Sequence, residues 1–127
     1  MAELMYPCPC CGYLVFAEPP GSFSICPFCF WEDDAVQLRY PEMGGGANKV
    51  SLIEGQKNFA AIGVSEGRFR EHVRKPENND PRDLKWRMIA PEMDNFEKIR
   101  GSNGKSPPYP KDMTQLYYWR DNYWLKD

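Results

Sequence analysis

Two short stretches decide the fold: Cys8-Pro9-Cys10-Cys11-Gly12-Tyr13 and Cys26-Pro27-Phe28-Cys29-Phe30-Trp31. Together they read C-x2-C-x14-C-x2-C. Two residues between cysteines let both sulfurs and the intervening amides curl round one ion. Two such knuckles facing each other make a tetrahedral four-sulfur site. The spacing therefore assigns Cys8, Cys11, Cys26 and Cys29 to one structural Zn2+. Pro9 and Pro27 set the approach to each knuckle, and Gly12 stands where a positive φ is often needed. Adjacent Cys10 and Cys11 do not suit the same ion together, so Cys10 reads as a spectator thiol beside the knuckle. Ligation by Cys10 with a different partner is the competing assignment. Cys10 as a nucleophile lacks a partner, since the one histidine, His72, lies far along the chain and nothing marks a third member.

Outward from the knuckles, Tyr13–Phe16 predicts a strand. Pro19-Pro20-Gly21 predicts a turn and Ser22–Ile25 a return strand, so that residues 7–31 form a metal-stapled hairpin. Ser51-Leu52-Ile53-Glu54 is a capping-box pattern that starts a helix running to about Ile62, with Gly63 as its stop. Leu52, Gln56, Phe59 and Ala60 would form its buried face. A second helical segment is predicted from Ser65 to Arg74, making 51–75 a helical region. Pro76–Asp83 and Gly101–Pro110 read as loops, and Leu84–Ile89 is ambiguous. Leu116, Trp119, Tyr123 and Trp124 recur at helical spacing and predict an aromatic C-terminal helix over 112–125. The expected architecture is one α+β domain over 1–127, a small zinc-ribbon-like β-hairpin module packed against two or three helices.

The chain has 127 residues, the size of a single domain, and 42% of them are hydrophobic, which favours a folded chain. The formal charge of −2 exerts no global pull on nucleic acid or anionic membrane. Five cysteines, an odd and clustered set, argue for a reduced metal site over a disulfide framework. Met1–Tyr6 has neither a basic nor an apolar leader region, and no apolar run is long enough to span a bilayer. The expected location is the cytoplasm.

Other clusters divide between structural and functional readings. Glu32-Asp33-Asp34 reads as a solvated helix start or turn, or as a docking surface for a basic partner. Arg68, Arg70, His72, Arg74 and Lys75 form a solvated helical face or a nucleic-acid contact. Gly44-Gly45-Gly46-Ala47-Asn48 lacks the Gly-Lys-Ser/Thr ending of a phosphate loop, so a flexible or sharply turned connection is expected. The aromatic C-terminus supplies core packing or, through Tyr and Trp, a partner surface.

Four thiolates also accept iron, and Cys8–Tyr13 with Cys26–Cys29 resembles rubredoxin-type sites. Phe30 in place of glycine and the short spacing between knuckles depart from that pattern, and zinc is preferred. The run Tyr6–Tyr13, then Ile25–Asp34, then Gly45–Leu52 and Asn58-Phe59, resembles the bacterial cysteine-rich CPCC proteins over roughly the first half of the chain. Gly55 departs from the pattern, because a better helix former would be expected there. The resemblance implies a zinc-binding protein without enzyme activity. Where such proteins neighbour secreted toxins, it implies an immunity protein that binds and neutralises its cognate toxin. On that reading, Glu32, Asp33, Asp34, Trp119, Tyr123 and Trp124 are the expected partner contacts. The alternatives are a nucleic-acid-binding zinc ribbon relying on Arg68, Arg70 and Arg74, and a rubredoxin-like iron redox protein.

Overall fold

The computed structural model describes residues 5–97 and 108–125. Most of the loop expected at 101–110 lies outside the described residues. The fold is α+β, and the described residues hold a two-stranded antiparallel ribbon, two α-helices and two 3₁₀ helices.

The ribbon is built differently from the expected hairpin. Strand β2 (Leu14–Phe16) forms where a strand was expected, but its partner is β1 (Tyr6–Pro7), which precedes the first knuckle. The expected return strand, Ser22–Ile25, instead meets the segment after the second knuckle. Phe23 N–H donates to Asp33 O, and Asp33 N–H to Ser24 O. Each knuckle thus closes its own ribbon. Cys8 N–H donates to Tyr13 O at 2.9 Å, and Cys26 N–H donates to Trp31 O at 2.9 Å. Gly12 N–H returns to Cys8 O and Phe30 N–H to Cys26 O. Pro7 pairs with Leu14 around the first knuckle, and Ile25 bridges Glu32 around the second. The two knuckles are copies in sequence position and hydrogen bonding. The residue after each second cysteine has a positive φ, 83° at Gly12 and 68° at Phe30. Tight closure requires that left-handed turn, so Phe30 adopts a conformation that favours glycine.

Helix α1 (Ala35–Arg39) starts at Asp34, whose carboxylate accepts from Val36 N–H and Gln37 N–H. Helix α2 (Leu52–Ile62) has the expected limits. Ser51 Oγ accepts from Glu54 N–H at 3.1 Å, and Gly63 ends the helix at φ 81°. Its buried face is Leu52, Gly55 and Gln56, with Phe59 half-buried and Ala60 exposed.

The segments 65–74 and 112–125 hold only short 3₁₀ helices, Gly67–His72 and Met113–Leu116. Beyond Leu116 the expected aromatic helix is replaced by successive turns. Tyr117, Tyr118 and Trp119 are all buried, at 1%, 6% and 7% exposure. Consecutive residues of an α-helix point about 100° apart, so one helix cannot bury three in a row on a single face. Core packing overrides the helical spacing.

One hydrophobic cluster joins the cysteines and Trp31 to Leu52, Ile89, Phe96, Leu116 and the C-terminal rings. Among the described residues, no helix is long and apolar enough to cross a membrane.

Candidate metal centre

The two knuckles bring Cys8, Cys11, Cys26 and Cys29 together with all four sulfurs within 4.8 Å of one another. Cys8 Sγ lies 3.5 Å from Cys29 Sγ, and Cys11 Sγ lies 3.7 Å from Cys26 Sγ. A tetrahedron with metal–sulfur bonds of about 2.3 Å has edges of about 3.8 Å. The cluster therefore fits one metal ion held by four thiolates. Burial pushes the Cys8 and Cys29 thiols well above their usual value. Burial opposes ionisation of Cys26 too, but hydrogen bonds from Cys11, Cys29 and Cys8 hold it well below. The bound metal would supply a positive charge that compensates four buried thiolates and cross-links the knuckles.

All five cysteines have no exposed surface. Cys10 stands outside the four-sulfur set, as its spectator reading requires. The correspondence of the knuckles places it opposite Phe28. A small residue is needed there because α2 passes close by. A Cβ added to Gly55 would lie 3.2 Å from Cys10 Sγ and 3.2 Å from the Trp31 ring. Gly55 and Cys10 together let the helix approach the metal module.

The first knuckle is roofed by residues 81–89, where the sequence predicts a loop to Asp83 and is ambiguous over Leu84–Ile89. Leu14 N–H donates to Pro81 O, and Asp83 N–H donates to Gly12 O. Arg82 Nε donates to Cys11 O at 2.9 Å, and Trp86 Nε1 donates to Pro9 O at 2.9 Å. A Cβ on Gly12 would strike the Trp86 ring at 2.6 Å. Gln56, fully buried in α2, ties these pieces together. Its Nε2 donates to Pro9 O and Tyr118 Oη, and its Oε1 accepts from Ile89 N–H. No local sequence signal marks these tertiary partners, apart from the polar Gln56 on an otherwise apolar helical face.

The expected partner contacts fall largely inside the molecule. Asp33 is 2% exposed and accepts from Ser22 N–H and Ser22 Oγ. Burial pushes its carboxyl up despite those bonds. Asp34 is 6% exposed and caps α1. Only Glu32 of the trio is partly accessible, and its backbone is held by the Asn48 side chain. Trp119 and Tyr123 are buried, and Trp119 Nε1 donates to Asp83. Trp124 is half-buried with Arg39 over its ring.

The glycine loop is sharply turned and engaged from within. Ala47 N–H donates to Asp34 Oδ2, and Asn48 N–H donates to Gln37 Oε1. A Cβ on Gly46 would lie 2.7 Å from Asp34 Oδ2.

In the basic stretch, Arg68 pairs with Glu66, and Arg74 pairs with Asp80 through both of its terminal nitrogens. His72 is exposed and packs its ring beside Phe30. Arg70 and Lys75 are exposed.

No curated protein matches this sequence. The cysteine-rich CPCC family matches residues 6–80, which span both knuckles, α1, α2 and the basic stretch. That match covers more than half of the chain and every cysteine, so the chain belongs to the cysteine-rich CPCC family.

Proposed function

We propose that this is a non-enzymatic zinc protein that works by binding a protein partner. In its most specific form it is a cytoplasmic immunity protein that neutralises a cognate secreted toxin. The observation that carries the reading is the closed four-cysteine cluster, buried to zero exposure beneath α2 and residues 81–89. Catalytic zinc keeps an open coordination position, whereas structural zinc is closed by protein ligands. A metal with this role supports a fold, and the fold then acts through its surface. The immunity role rests on the resemblance of the CPCC segments to proteins found beside toxins.

Elemental analysis with an absorption spectrum tests the metal. One zinc per chain without visible colour is expected, and iron with thiolate charge-transfer bands would favour electron transfer instead. Co-production with a toxin encoded by a neighbouring gene tests the role. Protection of the cell and a stable complex are expected. Neither protection nor complex would end the immunity reading.

Nucleic acid is a weaker candidate, because arginines already lie over three rings in and beside the basic stretch. Arg68 lies over Phe69, Arg74 over Phe28, and Arg82 over Tyr13. Bases stack on free ring faces.

A further inference from the structure

A cleft of about 310 Å³ opens between the end of α2 and the chain beyond Gly67–His72, lined by Ile62, Gly63, Val64, Arg70, Val73 and Lys75. Its walls are apolar: Ile62 is 41% exposed, Val64 is buried and Val73 is half-buried. Two exposed cations, Arg70 and Lys75, share its lining. The neighbouring arginines Arg68 and Arg74 each hold a carboxylate. Among the described residues, Arg70 and Lys75 have no such partner.

We infer that this cleft is a docking site for an acidic segment of a protein partner, one that places a Glu or Asp carboxylate beside a branched or aromatic side chain. The inference rests on the partner-binding reading above and supplies the surface that Asp33, Asp34, Trp119 and Tyr123 do not. Charge complementarity selects the occupant: two exposed cations, without a carboxylate partner among the described residues, border an apolar recess, so the matching group is an anion attached to an apolar body. The cleft lies at the low end of ligand-pocket volumes, about 300–1,000 Å³, which suits one or two side chains. The covered rings of Phe69 and Phe28 argue against a nucleobase here.

The test uses the full-length, metal-loaded protein and a short peptide alternating Glu with Leu and Phe. Its Gln-for-Glu counterpart and a single-stranded DNA oligonucleotide serve as comparisons. The acidic peptide is expected to shift backbone amide resonances over residues 62–75, and the Gln peptide to shift them far less. Charge reversal by Arg70→Glu with Lys75→Glu is expected to weaken the peptide by about ten-fold or more. Lys85→Glu, at an exposed position that does not line the cleft, is expected to leave it unchanged. Both substituted sites are exposed, and metal content and thermal midpoint check that the variants stay folded.

Absence of shifts over 62–75, equal binding by the Gln peptide, or tighter binding by the oligonucleotide would each overturn the inference. If co-production yields a partner whose affinity survives the double charge reversal, the cleft falls while the partner-binding reading stands. If no partner emerges, that reading falls and the peptide result still decides the cleft.

Discussion

Gly55 is the residue whose presence the helix least explains and the metal module most requires. Alanine there would favour α2 by roughly 1 kcal/mol through backbone entropy. The added methyl meets Cys10 Sγ and the Trp31 ring, and Trp31 has no exposed surface into which to retreat. Overpacking a filled core costs about 1–3 kcal/mol. Gly55→Ala is therefore expected to lower the thermal midpoint of the metal-loaded protein by a few degrees, and a rise would show that the contact yields. Cys10 is tested beside it. Cys10→Ala should retain one metal per chain and lose about 1 kcal/mol of packing. Cys8→Ser, Cys11→Ser, Cys26→Ser or Cys29→Ser should each abolish stoichiometric metal. Metal content of the five variants separates ligand from spectator, and loss of metal from Cys10→Ala would reassign the site.

At the scale of segments, residues 81–89 are fastened by charged contacts. Asp83 joins them to the C-terminal segment, accepting from Trp119 Nε1 and Arg120 as well as from Lys85 N–H. Burial opposes its ionisation, but the bonds from Trp119, Lys85 and Arg120 outweigh it and hold the carboxyl below the usual range. In the same way, Arg87 holds Asp94 down. A carboxylate with a depressed folded pKa binds fewer protons when folded. Its stabilisation is complete above its unfolded value of about 4 and is lost as pH falls through the folded value. Asp83→Asn should therefore destabilise the protein at neutral pH, and the penalty should vanish under more acid conditions. Denaturant unfolding of parent and variant across a pH series checks this, and a penalty independent of pH would assign Asp83 a purely steric role.

At the scale of the whole molecule, the metal module supports segments distant in sequence. Pro9 O, Cys11 O and Gly12 O hold Trp86, Arg82 and Asp83, and Gln56 links Pro9 to Tyr118. Arg39, in α1, pairs with Glu97 at 2.8 Å and lies over the rings of Tyr109 and Trp124. Structural zinc contributes roughly 10–16 kcal/mol of apparent binding energy. That exceeds the roughly 5–15 kcal/mol of net stability of a typical domain. A strong chelator should therefore release the C-terminal segment together with the knuckles, seen as altered tryptophan fluorescence and new proteolytic cuts within 81–125. Survival of the tail signal after metal loss would separate the two parts. Burial raises the Cys8 and Cys29 thiols, so ligation as thiolates expels protons. Metal affinity should rise with pH, as competition titration will report.

What the sequence by itself determined was local. The two-residue spacing of the cysteines defined the knuckles, Ser51 and Gly63 bounded α2, and Gly12 marked a left-handed turn, because each depends on neighbours within one turn of chain. The tertiary structure alone decided that each knuckle closes its own ribbon, so Ser22–Ile25 pairs after the second knuckle and not with β2. It also decided that Asp33 and Asp34 serve inside, since a carboxylate run looks the same whether it faces water or caps a helix. The aromatic C-terminus carried helical spacing, yet three consecutive rings had to be buried against the knuckles and α2, and that demand outweighs helical periodicity. Gly55 looked like a defect until Cys10 and Trp31 came to rest against it. Such contacts join residues dozens of positions apart, and no pattern within one segment encodes them.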